Sequence, residues 1–140
     1  MPTTQSIFVL DAFALLAFFQ AEEPAASQVR ELLEKAERHE VKLYLSIINL
    51  GEIFYITAKN IDHHTAEQIK RDTINLPLSV VSISDDQVEH AMEIKACHNL
   101  SFCDAFVVVI AQELGAVIVT GDPEFHFIES IVDVYWLNKK

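Results

Sequence analysis

Four carboxylates stand where an apolar segment ends or where a buried helix would favour leucine. Asp11 follows the run SIFVL, Glu52 lies inside INLGEIFYI, Asp104 opens DAFVVVIA and Asp122 follows AVIVTG. A carboxylate beside buried apolar neighbours is costly unless it is paired, protonated or bound to a cation. Two of them ~4 Å apart repel by roughly 4 kcal/mol at an effective dielectric near 20. If the four converge, a divalent cation is the simplest partner. Oxygen-only ligands favour Mg²⁺ or Mn²⁺ over zinc, which prefers His or Cys. Metal held by carboxylates suits phosphodiester hydrolysis.

The elements that must position these acids follow from the pattern. A strand is expected over 5–10 and a short helix over 12–20. A second helix after Pro24 carries an apolar stripe of Val29, Leu32, Leu33 and Ala36. A strand over 41–45 precedes a helix capped by Ser46 and running to about Lys59, and Asp62 caps another to Leu76. A strand over 78–83 leads into a helix opened by the Ser84/Gln87 capping box and ending near Asn99. Ser101 opens a buried helix that stops at Gly115; strands over 116–120 and 131–135 complete the chain. Strands alternating with helices predict an α/β fold: a mainly parallel central sheet of four to five strands with helices on both faces. By length, one domain over residues 1–140 is expected.

In an open parallel sheet, ligands bind beyond the carboxyl ends of the strands. Asp11 and Asp122 follow the first and fourth expected strands and so emerge on one edge. Asp104 shares the inward face of its helix with Val107, Val108 and Ala111, and Glu52 lies between Ile48 and Ile56. Asn49, three residues before Glu52, shares its face. Simpler roles exist for three of the acids. Asp11 can be a helix cap, Asp104 completes Ser-x-x-Asp with Ser101, and Asp122 sits in the turn sequence Thr-Gly-Asp-Pro-Glu. Glu52, an acid in mid-helix on an apolar face, has no such structural role.

Composition removes several alternatives. Hydrophobic residues make up 51% and mean hydropathy is +0.22, which supports a well-packed core. Three glycines cannot supply a Gly-rich phosphate loop. The longest apolar run, AFALLAFF, is far short of a membrane span, and no Lys or Arg precedes Arg30, so neither a membrane anchor nor a secretory signal is expected. Cys97 and Cys103 read as reduced thiols of a cytoplasmic protein. A receiver-like signalling domain would need a Lys after a late strand, where Thr120 is followed by Gly-Asp-Pro-Glu. A haloacid-dehalogenase-type phosphatase would need Asp-x-Asp, and Asp11-Ala12-Phe13 does not provide it. The net charge of −11 opposes simple nucleic-acid binding, although bound cations would offset part of it. Lys35, Arg38, Lys42, Lys59, Lys70 and Arg71 are the candidate phosphate contacts.

FVLDAFALLAFF, SIINLGE from Ser46 to Glu52, LSFCDA from Leu100 to Ala105 and VTGDPEF from Val119 to Phe125 together resemble a PIN domain, specifically the VapC-type toxin ribonucleases of toxin–antitoxin pairs. The resemblance spans nearly the whole chain. It implies Asp11, Glu52, Asp104 and Asp122 as catalytic, metal-binding acids, Asn49 and Thr120 as supporting residues, and Mg²⁺-dependent (or Mn²⁺-dependent) cleavage of RNA. It further implies a homodimer and a cognate antitoxin protein. Phe18 and Phe19, which end a short helix beside the Glu-rich segment, either line an apolar groove for such a partner or complete the core. The chain departs from the pattern at Phe13, where family members often carry Ser or Thr. A hydroxyl there can touch metal-bound water or phosphate and a phenyl ring cannot, so a weakly active or inactive PIN scaffold serving as a binding module is the alternative.

Overall fold

A computed structural model describes residues 5–138; residues 1–4 and 139–140, the ends of the expected 1–140 domain, lie outside the described residues. Five strands form one sheet: β1 (Ser6–Leu10), β2 (Val41–Ser46), β3 (Ser79–Val81), β4 (Val117–Thr120) and β5 (Val134–Trp136). All neighbours pair in parallel, in the order β3-β2-β1-β4-β5. Six α-helices cover it: α1 (Ala12–Phe19), α2 (Ala25–Glu37), α3 (Ile47–Asn60), α4 (His63–Ile74), α5 (Asp85–Cys97) and α6 (Phe102–Leu114). A 3₁₀ helix, Pro123–Ile128, follows β4.

Alternation along the strands sorts the core into two faces. Val9 and Ile118 join α5, α6, Phe125 and Ile128 on one side. Leu10 and Val119 join α1 and α2 on the other, through Ala14, Ala17, Val29 and Leu33. Helix α3 completes a third cluster with α1 around Leu15, Leu45, Leu50 and Ile53. Every residue of α6 from Asp104 to Ala111 is buried, which explains its run of valines and makes Asp104 the one acid within that buried stretch. No single described helix is long and apolar enough to cross a membrane.

The caps read from sequence are formed. Asp11, Ser46, Asp62 and Ser101 each accept a backbone N–H near the start of their helices, and the Ser84/Gln87 box closes in both directions. Differences fall at element ends. Helix α4 ends at Ile74 because Leu76 turns into the following loop, where its N–H bonds Thr73 O. The third strand shrinks to the three residues that pair with β2, and the last begins at Val134, where pairing with Ile118 starts. The 3₁₀ helix was not expected. It begins where Asp122 accepts the Glu124 N–H and Pro123 fixes the first backbone angle.

Two glycines make opposite demands. Gly115 ends α6 in the left-handed region (φ 62°), whereas Gly51 lies on the exposed side of α3 with open space around a would-be Cβ. Gly115→Ala should therefore lower the unfolding free energy by about 1 kcal/mol, and Gly51→Ala should raise it by about 0.5–1 kcal/mol. Urea denaturation of the two variants checks the signs.

Candidate active site

The parallel strands deliver their loops to one edge, and the acids gather there. Asp11 is the first residue after β1 and is 1% exposed. Its Oδ1 accepts the Ala14 N–H at 2.9 Å, and its Oδ2 accepts the Thr120 hydroxyl. Thr120 Oγ1 also accepts the Asp122 N–H at 2.9 Å, so one threonine ties together the acids that follow β1 and β4. Asn49 does similar work on α3. Ser46 Oγ donates to its Oδ1 at 2.5 Å, while its Nδ2 donates to Glu52 Oε1 and to the Cys103 carbonyl, both at 3.2 Å. Glu52 is thus held towards the start of α6, one residue from Asp104.

All four expected acids are brought to this edge, and a fifth joins them. Asp104, Asp122 and Glu124 each place a carboxylate oxygen within 4.8 Å of the others'. Glu124 is fixed by the Ser101 N–H, which donates to Oε2 at 3.1 Å. Asp11 and Glu52 stand outside this tightest triad but within repulsive range of its members. Glu124 was hidden in the sequence because Thr-Gly-Asp-Pro-Glu reads as a turn. The available signal was only the closeness of the two acids in sequence; the turn in which Asp122 caps the 3₁₀ helix lets both carboxylates reach the same cluster.

Electrostatics record the crowding. Burial raises Asp11 from 3.8 to about 7, against the opposing hydrogen bonds from Thr120 and Ala14. Burial again leads for Asp104, with repulsion from Asp11 and a carboxyl–carboxyl hydrogen bond to Glu124 adding to it, and raises it to about 9. Glu52 is also raised, by burial first and then by Asp122 and Glu124, with the Asn49 bond acting the other way. The donor set fits a hard divalent ion: it is all oxygen, and ligands at 2.0–2.1 Å from one Mg²⁺ lie at most about 4.2 Å apart, a small contraction from the observed spacing.

Phe13 closes the site from the α1 side. A Cβ on Gly121 would lie 2.3 Å from Phe13 Cε1 and 2.6 Å from Cζ. The ring therefore occupies the space that the glycine leaves, directly behind the loop carrying Asp122. Phe18 and Phe19 are half-buried against the second and third core clusters and meet edge to face at 5.2 Å, which makes them largely core residues. Several candidate phosphate contacts are engaged elsewhere. Lys35, Arg38 and Lys70 pair with Glu31, Glu40 and Glu67, and Lys59 lies over the Tyr55 ring. Lys42 sits at the amino end of β2, the edge away from the acids.

The family model of the PIN domain matches residues 8–129. The chain belongs to the PIN domain family. Among solved structures, VapBC of Salmonella typhimurium, crystallised bound to DNA, is 19% identical with a TM-score of 0.71 over 94% of this chain and 98% of that one. The VapC20 toxin of Mycobacterium tuberculosis, described as cleaving the sarcin–ricin loop, is 21% identical with a TM-score of 0.69 over 86% and 93%. VapBC-1 of nontypeable Haemophilus influenzae is 15% identical with a TM-score of 0.67 over 95% and 99%. Comparison with curated proteins finds no match. At these identities the solved structures speak for the PIN fold.

The raised acids give the metal-free PIN domain a pH signature. Asp11 and Asp104 keep their protons in the folded chain at pH values where the unfolded chain has lost them. Their contribution is complete below the unfolded value of 3.8 and is lost as pH rises through about 7 and then about 9. Stability in chelator should therefore fall between about pH 5 and 9, by at most about 1.4 kcal/mol per pH unit for each group. Urea midpoints that stay level or climb across this window would contradict the arrangement.

Proposed function

We propose that this PIN domain is a divalent-metal-dependent endoribonuclease, the toxin of a toxin–antitoxin pair. The observation that carries the reading is the buried acidic cluster at the carboxyl edge of the sheet, in a chain of a family whose nucleases use divalent metals. Asp104, Asp122 and Glu124 would hold Mg²⁺ or Mn²⁺, with Asp11 and Glu52 completing the acidic wall. When bound, such an ion neutralises charge on the phosphoryl oxygens and acidifies an attacking water. Thr120 keeps Asp11 and Asp122 in fixed relation, so neither must reorganise as substrate arrives. Asn49 holds Glu52 at the rim, where it can accept a proton from the nucleophile. The buried flank formed by α6 excludes bulk water behind the acids, which strengthens each charge interaction.

The likeness to VapBC toxin–antitoxin structures supports a cognate antitoxin protein as partner, and a homodimer in a cytoplasmic setting is part of the same proposal. Two observations favour a second reading, a weakly active or inactive scaffold. Phe13 presents no hydroxyl to the site, and neither 1–29 nor 96–138, the segments bearing four of the five acids, contains a Lys or Arg to meet phosphate.

RNA digestion in Mg²⁺ or Mn²⁺, with and without EDTA, separates the readings. The wild type should cut RNA only with metal, and Asp104→Asn and Glu124→Gln should each lose about 100-fold or more of that activity. Cleavage that survives EDTA overturns the metal assignment; no cleavage by a folded, metal-loaded wild type supports the scaffold.

Metal should also stabilise the fold. At about 100 times its dissociation constant it adds about 2.7 kcal/mol, or about 6–10 °C in Tm. A melt indifferent to metal and chelator would remove the ion from the site.

A further inference from the structure

Beside the acids lies a second constellation with no part in holding a metal. The rings of His126 and Trp136 stack with centroids 4.1 Å apart and planes at 21°. Glu129 clamps both: its Oε1 lies 2.6 Å from His126 Nδ1, and its Oε2 accepts the Trp136 Nε1–H at 3.2 Å. One carboxylate therefore sets the tilt and spacing of two rings. His126 has one face against the indole, yet 54% of its side chain is exposed, so the open surface is its outer face and edge.

Its location follows from the sheet. Thr120 and Trp136 are register partners on adjacent parallel strands, so their side chains leave the sheet on the same face about 4.8 Å apart. Thr120 is the residue that ties Asp11 to Asp122. His126 is two residues beyond Glu124 in the same 3₁₀ helix. The stack therefore flanks the acid cluster on its β5 side. The same segment, 96–138, contains no Lys or Arg, and the chain carries −11 overall. Within the described part of this segment, a strand of nucleic acid reaching these acids meets no Lys or Arg to hold its phosphates. Base stacking is a form of attraction that does not need it, since every base has a π face.

We propose that His126, backed by Trp136 and clamped by Glu129, is a stacking platform for an unpaired base of the RNA next to the bond that is cut. This deepens the nuclease reading and rests on it. His126 contacts the base; Trp136 and Glu129 are positioning residues. The platform selects for single-stranded substrate, because a base inside a duplex has no face to offer. It is tolerant of base identity.

Trp136 is the only tryptophan, so its fluorescence reports directly on the platform. Metal-loaded protein is mixed in a stopped-flow cell with an unstructured RNA oligonucleotide at fixed pH, and quenched samples are assayed for cleavage. Trp136 emission should change on binding, before cleavage. His126→Ala should raise the half-saturating RNA concentration and KM about 5- to 100-fold, while kcat changes less than about threefold. His126→Tyr should restore binding, and an oligonucleotide carrying abasic residues should bind wild type as weakly as His126→Ala binds intact RNA. Equal melting temperatures for wild type and both variants show that the fold is kept. If wild type cuts RNA while emission is unmoved, or while His126→Ala leaves KM as it was, the platform is overturned and the nuclease stands. If emission responds to RNA that is not cut, the platform stands as an RNA-binding device and the nuclease reading falls. Neither signal overturns both.

Discussion

Like charges confined to one edge of a parallel sheet are the constraint around which this molecule is arranged. The carboxyl ends of β1 and β4 point the same way because both strands are parallel members of the sheet, so Asp11 and Asp122 arrive together. Helices α3 and α6 then bring Glu52 and Asp104 to them, and the 3₁₀ turn adds Glu124. Among the described residues, no cationic side chain forms an ion pair with these acids. The arrangement persists because nearly every acid is tethered by a hydrogen bond whose other end belongs to a well-packed element: Thr120 for Asp11, Asn49 for Glu52, the Ser101 amide for Glu124. The free energy that holds the charges together comes from the apolar clusters beneath, where the wholly buried face of α6 meets Val9 and Ile118.

Much of this was legible in the residues. Short apolar runs and helical spacing located every strand and α-helix, and cap residues such as Ser46, Ser84 and Ser101 marked the starts of helices α3, α5 and α6. The acids were visible because each stood against an apolar background. Glu124 was not, since its neighbours Pro123 and Gly121 are turn formers and nothing apolar set it apart. Strand ends were also hidden. Where β3 stops is set by β2, whose last residue, Ser46, pairs with Val81, and not by the run Leu78 to Ile83.

Two other features lay beyond sequence reasoning because they depend on distant partners. The void at Gly121 has meaning only once Phe13, more than a hundred residues earlier, is known to fill it. The pairing of Trp136 with Thr120, and of Glu129 with both rings, needs the register of the last two strands. Phe13 illustrates how such contacts alter a reading. From sequence it is a missing hydroxyl; in the fold it is also a brace behind the Asp122 loop, and a smaller side chain would leave that loop unsupported.

The order in which the strands occur along the chain carries a temporal consequence. Asp11 is synthesised before its partner Thr120, which lies 109 positions later. Until β4 has been made and docked beside β1, the acids remain dispersed along a partly folded nascent polypeptide and scarcely repel one another. The acidic edge is therefore assembled only once the segment carrying β4 has followed the one carrying β1, and its mutual repulsion is postponed until the sheet beneath it exists.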